Sequence, residues 1–353
     1  MVLIIKKWNA GLLILSLLLA LCPSAEAEGP PSTSARCAVL MGADGTVLYG
    51  REEQQRALIA STTKLMTALV ALERADPKET VTITPAQCRV EGSSMYLRPG
   101  LCCSVEDLVT GLLLASGNDA ALALAEHVGG SVEDFVGMMN ERAGELGLVN
   151  THFMNPHGLD QEGHYSTALD LARLMAVCME QPAFACITAL RCAKVAGVNY
   201  ANHNKLLGLC PGCLGGKTGY TRAAGRCLVS CCERGGTRLI CVTLSDPQDW
   251  RDHQMLYAWG FARYEARELR EELRFTVPVV SGERDCAAAQ AEPVKLLLPK
   301  DARLRLDVEL PRFVFAPVEA GSTAGQVSVW LDGELLSRIE LRYEQSVARK
   351  KRG

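Results

Sequence analysis

Two hairpin-like segments stand far apart in the chain with a long block of helical periodicity between them, and that order constrains the fold more than any other feature. Cys37–Leu40 and Thr46–Tyr49 are short apolar runs around Gly42-Ala43-Asp44-Gly45, a tight-turn signal. Cys227–Cys232 and Leu239–Leu244 are strand-like runs around Glu233-Arg234-Gly235-Gly236. Between them, Ser61–Arg74 carries Leu65, Met66, Leu69, Val70 and Leu72 at helical spacing. Ser104 with Asp107 and Ser131 with Asp134 resemble capping boxes, opening helices towards Ala115 and Leu146. Asp119–His127 and Ser166–Met179 are further helical candidates, and a helix from about Gln248 to Arg263 closes the block. Terminal strands that pair across the helical insertion would form one antiparallel sheet with helices packed on it. The expected class is therefore α/β (α+β), a sheet sandwiched by helices.

The 353 residues suffice for two domains. A charged stretch, Glu265–Glu272, separates the region 36–265 from a tail of different texture, so 266–273 is expected to be a connector. Val294–Leu298, Leu304–Val308, Val327–Leu331 and Leu335–Leu341 are short strand candidates of a small all-β domain over 274–343. Residues 344–353 form a basic tail in which Arg349-Lys350-Lys351-Arg352 reads first as a solvated terminus, the alternative being peripheral contact with an anionic membrane or wall polymer. At the other end, Lys6 and Lys7, the apolar run Ala10–Cys22 and the small residues Ala25 and Ala27 read as a signal peptide over 1–27. A flexible leader, 28–35, is expected to follow. The formal net charge of −3 argues against a nucleic-acid partner. The 48% apolar and 22% charged residues argue for a folded globular protein, which the signal peptide marks as exported to the cell envelope. The 15 cysteines include the adjacent pairs Cys102-Cys103 and Cys231-Cys232 and a single CxxC, Cys210-Pro211-Gly212-Cys213. They lack the spacing of a disulfide framework, so free structural thiols are expected, with one or two disulfides, or a metal or redox role, as alternatives.

Three short segments carry chemistry. Ser61-Thr62-Thr63-Lys64 opens the first helix, and the spacing i, i+3 puts hydroxyl and amine on one face. A serine is a poor nucleophile until a neighbouring base takes its proton, and a lysine serves only if burial and other cations depress its pKa. Ser116-Gly117-Asn118 falls between two predicted helices. Lys217-Thr218-Gly219 enters the second hairpin, where a lysine adds positive potential to a cleft and a threonine can bond a carboxylate. Each alone is weak, but their order and spacing together are not.

The trio resembles the active-site serine penicillin-recognising family, with SxxK, an S-x-N element and K-T-G. Its Ser-Gly-Asn form is similar to that of the low-molecular-mass penicillin-binding proteins that are D-alanyl-D-alanine carboxypeptidases. Ala60–Ala68, Leu113–Ala121, Asn155–Leu159, Gly215–Thr221 and Trp259–Phe261 extend the resemblance over roughly 35–265. It implies a β-lactamase/transpeptidase-like fold and a hydrolase acting on peptidoglycan stem peptides that end in D-Ala-D-Ala. Ser61 would attack the carbonyl between the two D-alanines, and Lys64 would accept its proton. Ser116 and Asn118 would complete the proton path and hold the substrate. Lys217 with Thr218 would meet the terminal carboxylate, with Gly219 and Tyr220 completing the substrate wall. The backbone N–H groups of Ser61 and Tyr220 would form the oxyanion hole. β-Lactam antibiotics would acylate the same serine, and no cofactor or metal is needed.

Other readings weigh less. A class A β-lactamase would carry Glu-x-x-Leu-Asn between Ser116 and Lys217, and a zinc peptidase would carry His-Glu-x-x-His among the six histidines; neither motif is present. An inert wall-binding protein would not need Lys64 or Lys217. The cysteines flanking Lys217, and a short charged tail where the family commonly has a membrane-binding helix, depart from the pattern.

Overall fold

The computed structural model describes residues 29–351, so the expected signal peptide and Arg352 lie outside the described residues. Residues 29–32 carry no helix or strand. The compact unit that begins at Thr33 is built on the sheet the sequence suggests. Strands β1 (Cys37–Gly42) and β2 (Val47–Arg51) form the first hairpin. β3 (Cys213–Thr221), β4 (Gly225–Arg234) and β5 (Thr237–Leu244) form the C-terminal part. The antiparallel order is β2-β1-β5-β4-β3, closed across the helical block by Cys37 opposite Leu244 and Leu40 opposite Cys241.

Alternation along the strands assigns the two faces. Val39, Met41, Val229 and Val242 enter the core beneath helix α1 (Lys64–Arg74), which also holds α2 (Val105–Leu114), α3 (Asn118–Gly129), α4 (Val132–Glu145) and α5 (Ala168–Glu180). Leu40, Leu228 and Cys241 point the other way, against Leu256 and Tyr257 of α6 (Asp249–Arg263). The central strands are therefore apolar on both sides, as a sheet covered by two helical layers requires. Ser104 and Asp107 form the expected reciprocal capping box, and Ser131 caps α4 through the Asp134 N–H.

Four expectations are corrected. The leader is not loose from Thr33 onward: Ser34 donates its N–H to Asp252 at 2.6 Å and its hydroxyl to Asp246 at 2.5 Å, and Ala35 is buried. Lys217–Gly219 do not merely enter a hairpin; they lie within β3, a full edge strand hidden in sequence by its Gly-Gly-Lys-Thr-Gly composition. The connector 266–273 is mostly structured. Tyr264–Leu269 is a strand paired with Val294–Pro299, and Leu269 and Leu273 are buried in the C-terminal core. The tail is also tied in as far as Lys350, whose N–H donates to Ser281 at 2.9 Å, while Val347 pairs with Val318.

The C-terminal domain is all-β, with a six-stranded sheet. The four expected strands are Val294–Pro299, Leu304–Glu309, Thr323–Leu331 and Glu334–Tyr343; Arg274–Val280 and Cys286–Gln290 were not foreseen. The first body holds further small pairings that the sequence reading lacks, Thr80–Thr82 with Cys102–Ser104 and Cys192–Val195 with Val198–Ala201.

Candidate active site

The three motifs converge on one cleft of about 500 Å³, lined by Ser61, Ser116, Thr218, Gly219 and Tyr220 among others. Ser61 sits in a single 3-10 turn, Ala60–Thr63, from which α1 continues at Lys64. The turn is strained, with Ala60 at φ +47, and neighbouring chain holds it there. Gly158, at φ +86, lies so close that a Cβ on it would overlap the Ala60 carbonyl. A Cβ on Gly219 would stand 3.0 Å from the Ser61 N, so glycine lets the edge strand reach the serine.

Lys64 is fully buried and makes three contacts. Its Nζ lies 2.8 Å from Ser61 Oγ, 2.7 Å from Asn118 Oδ1 and 2.7 Å from the His157 carbonyl. Burial, then the nearby Lys217 cation, hold its pKa well below that of an ordinary lysine, with Asp119 acting in the opposite direction. A neutral amine has two N–H bonds and one lone pair. In that neutral form the two carbonyl oxygens would take the N–H bonds, which would leave the lone pair for the Ser61 hydroxyl.

Ser116 follows α2 at φ +60, a left-handed position that turns its hydroxyl into the cleft. Lys217, also buried, donates to Ser116 Oγ at 3.1 Å and to the Thr218 carbonyl at 2.8 Å, and burial lowers its pKa to about 7. Asn118 starts α3 and donates its amide to the Glu91 carbonyl at 2.6 Å, which fixes Oδ1 towards Lys64. Tyr220 stands 68% exposed at the rim. The residues of the three motifs, together with Tyr220, thus stand in or beside this cleft.

Sequence reasoning missed the supports. Asp119, buried, accepts from Ser94 Oγ and from the N–H groups of Met95 and Leu97, tying that loop to the start of α3. His164 Nδ1 accepts from the Met154 N–H at 3.1 Å, which places the proton on Nε2, 2.8 Å from Thr63 Oγ1. Thr63 in turn donates to the Ala60 carbonyl, so His164 braces the serine turn. Arg226 lines the cleft, paired with both carboxylate oxygens of Asp249 at 2.8 Å and lying over Trp250. The quoted stretch Asn155–Leu159 held the only signal for the His157 carbonyl.

Comparison with known proteins decides the family. The profile described as D-alanyl-D-alanine carboxypeptidase, peptidase S11, matches residues 24–248. The chain belongs to this family. It is 33% identical over 359 residues to D-alanyl-D-alanine carboxypeptidase DacF of Bacillus subtilis, covering 94% of this chain and 92% of that one. It is likewise 33% identical to DacC of Escherichia coli, covering 90% and 85%. Penicillin binding protein 5 from Haemophilus influenzae superposes with a TM-score of 0.79 at 30% identity, covering 91% of this chain and 99% of that one. A serine-to-alanine mutant of the Streptomyces K15 DD-transpeptidase has a TM-score of 0.63 at 32% identity and covers 66% of this chain against 99% of its own. This carboxypeptidase is therefore a serine-type hydrolase of the penicillin-binding class, acting on the peptides of the cell wall. Among the described residues no group of three or more His, Cys, Asp or Glu is arranged to hold a metal.

Proposed function

We propose that Ser61 is the nucleophile and Lys64 its proton acceptor in removing the terminal D-alanine from peptidoglycan stem peptides. The observation that carries this reading is the buried Lys64 amine, 2.8 Å from Ser61 Oγ and also within 2.7 Å of Asn118 Oδ1 and the His157 carbonyl. Ser61 Oγ attacks the carbonyl carbon of the penultimate D-alanine while its proton passes to Lys64 Nζ. The N–H groups of Ser61 and Tyr220 receive the developing oxyanion. The C–N bond breaks, and the leaving amine takes a proton through Ser116, whose hydroxyl Lys217 holds. Water then cleaves the ester and free carboxylate departs. Lys217 and Thr218 receive the substrate's terminal carboxylate, an anion in a cleft with a buried cation. A peptide ending in D-Ala-D-Ala will release D-alanine on incubation with the purified protein, with or without a metal chelator, and prior benzylpenicillin will block it. Absence of release, or its loss on chelation, would refute the assignment.

The chain is further read as exported by the signal peptide 1–27 and held peripherally at an anionic membrane. Among the described residues no helix is long and apolar enough to cross a membrane. Support for the peripheral contact comes from the C-terminal domain. Phe313 and Phe315 are 51% and 67% exposed and meet edge to face at 5.5 Å. Phe315 pairs with Val280, next to the segment that anchors Arg349 and Lys350. Exposed aromatics beside a basic run suit an anionic interface. The protein will sediment with phosphatidylglycerol vesicles at low salt and not with phosphatidylcholine, and a Phe313→Ser, Phe315→Ser double variant will lose that binding; unchanged sedimentation of the variant would sink the idea.

A further inference from the structure

Three sulfurs gather at the start of β3, on the strand that carries Lys217. Cys210 ends a short helix, Leu206–Leu209, and the chain reverses over Pro211 and Gly212. The Cys213 N–H donates to the Cys210 carbonyl at 3.1 Å, and Gly212 takes φ +80, the pattern of a turn with proline second and glycine third. A Cβ on Gly212 would overlap the Glu233 carbonyl, so the turn is pressed against β4. Cys213 lies opposite Cys232 in the β3–β4 register. Cys210 Sγ is 3.7 Å from Cys232 Sγ, and Arg234 Nη2 donates to Cys210 Sγ at 3.5 Å while its Nε holds the Pro211 carbonyl. The carboxypeptidase chemistry uses none of these groups.

We propose that Cys210, Cys213 and Cys232 form a thiol–disulfide exchange site, in which Cys210 and Cys232 close a reversible disulfide at the expense of a low-molecular-weight disulfide, RSSR. The sulfurs already touch, and a bond of about 2 Å needs only a side-chain adjustment. The hydrogen bond from the Cys232 thiol, with Arg234 and against the opposing effect of burial, brings the Cys210 thiol down to about 7 and raises Cys232 in turn. The same neighbour lowers Cys213, which is the half-buried member and so the point of entry. By contrast, burial pushes Cys178 and Cys231 up in the apolar core, Cys231 to about 12, out of the range of a reactive thiol.

The exchange balances in three steps. Cys213 thiolate attacks one sulfur of RSSR, forming a mixed disulfide and releasing RS⁻, which takes up the proton Cys213 lost. The neighbouring sulfurs that Cys232 bonds raise its own pKa, so Cys232 first passes its proton to the Cys210 thiolate 3.7 Å away. As thiolate it displaces the second RS group from Cys213, and the departing RS⁻ takes that proton back from Cys210 and leaves as RSH. Cys210 thiolate then attacks the Cys232 sulfur and returns Cys213 to the thiol. Two protein thiols are oxidised, and one RSSR is reduced to two RSH. The resulting bond ties the turn before β3 to β4, on the strand that leads to Lys217.

The test is to treat the folded full-length protein with oxidised glutathione, alkylate the remaining thiols and map the peptides by mass. The expected product has lost two hydrogens and joins the Cys210 and Cys232 peptides, and a thiol reductant reverses it. Cys213→Ser should form the same link at least several-fold more slowly, and Cys232→Ser should instead accumulate a glutathione adduct at Cys213 or Cys210. Recovery of Cys210 and Cys232 as alkylated thiols, with glutathione confined to the exposed Cys102, Cys186, Cys192 and Cys286, would overturn the proposal.

Discussion

Ser61→Ala will abolish the covalent benzylpenicillin adduct seen by intact-mass spectrometry, and Lys64→Ala will slow its formation by about 10²–10⁴-fold. The two changes remove different things. Without the Ser61 hydroxyl there is no atom to acylate, so no adduct forms at any time. Without Lys64 the hydroxyl remains, but the base 2.8 Å away is gone, and acylation proceeds only as fast as water accepts the proton. The pH dependence separates a base from a packing residue. Burial and the neighbouring Lys217 favour the neutral amine of Lys64, so acylation by the wild type should climb as pH rises through the Lys64 pKa and then level off. Lys64→Ala should lose that limb. A variant that labels as fast as wild type, or keeps the same acid limb, would remove Lys64 from its role.

Acid will destabilise the folded protein steeply between about pH 6.5 and pH 4, before most carboxylates titrate. Burial lowers His157 and His164 to about 4 and His253 to about 3. The sign follows from linkage. Above pH 6.5 these rings are neutral folded or unfolded, and stability is fully present. As pH falls below 6.5 the unfolded chain binds protons that the folded chain refuses, so unfolding is favoured by up to about 1.4 kcal/mol per pH unit for each group. Three such groups can consume most of a domain's stability of roughly 5–15 kcal/mol. Asp246, whose pKa burial raises, acts the other way as pH falls, because the folded chain takes up its proton before the unfolded chain does. Lys217 contributes above its folded value of about 7, outside this window. His253 offers the clearest check because it lies far from the serine turn in sequence and bridges Ser230 and Thr243 beneath α6, at 2.7 and 3.1 Å. In urea titrations across pH, His253→Gln should reduce the slope of stability against pH, whatever its effect at neutral pH. An unchanged slope would show that His253 is not a source of the acid sensitivity.

The reading from sequence was strongest where a local rule and a chemical demand coincide. Lys64 follows Ser61 by one helical turn, so their contact is almost a local property of the chain. The Ser104–Asp107 cap is another such case. The reading was weakest where composition misleads. Gly215, Gly216 and Gly219 make β3 look like a loop, yet each has no room for a side chain: Gly219 is pressed against the serine turn, Gly215 against Thr188 and Gly216 against the Val229 carbonyl. Charged residues likewise disguised Tyr264–Leu269, because Glu265, Arg267 and Glu268 read as a solvated linker although the backbone pairs with Val294–Pro299 along its whole length.

By itself the sequence determined the fold class, the pairing of two distant hairpins and the identity of the residues that meet at the cleft, since motif order and hydrophobic periodicity are written in one dimension. Tertiary structure alone decided that Lys64 is dry, that the His157 carbonyl and Asn118 stand within hydrogen-bond reach of its Nζ, and that His164 and Gly158 hold the serine turn. It also alone brought Cys210 against Cys232. Desolvation and hydrogen-bond partnership depend on which distant segments exclude water from a group, and no spacing rule along the chain encodes that.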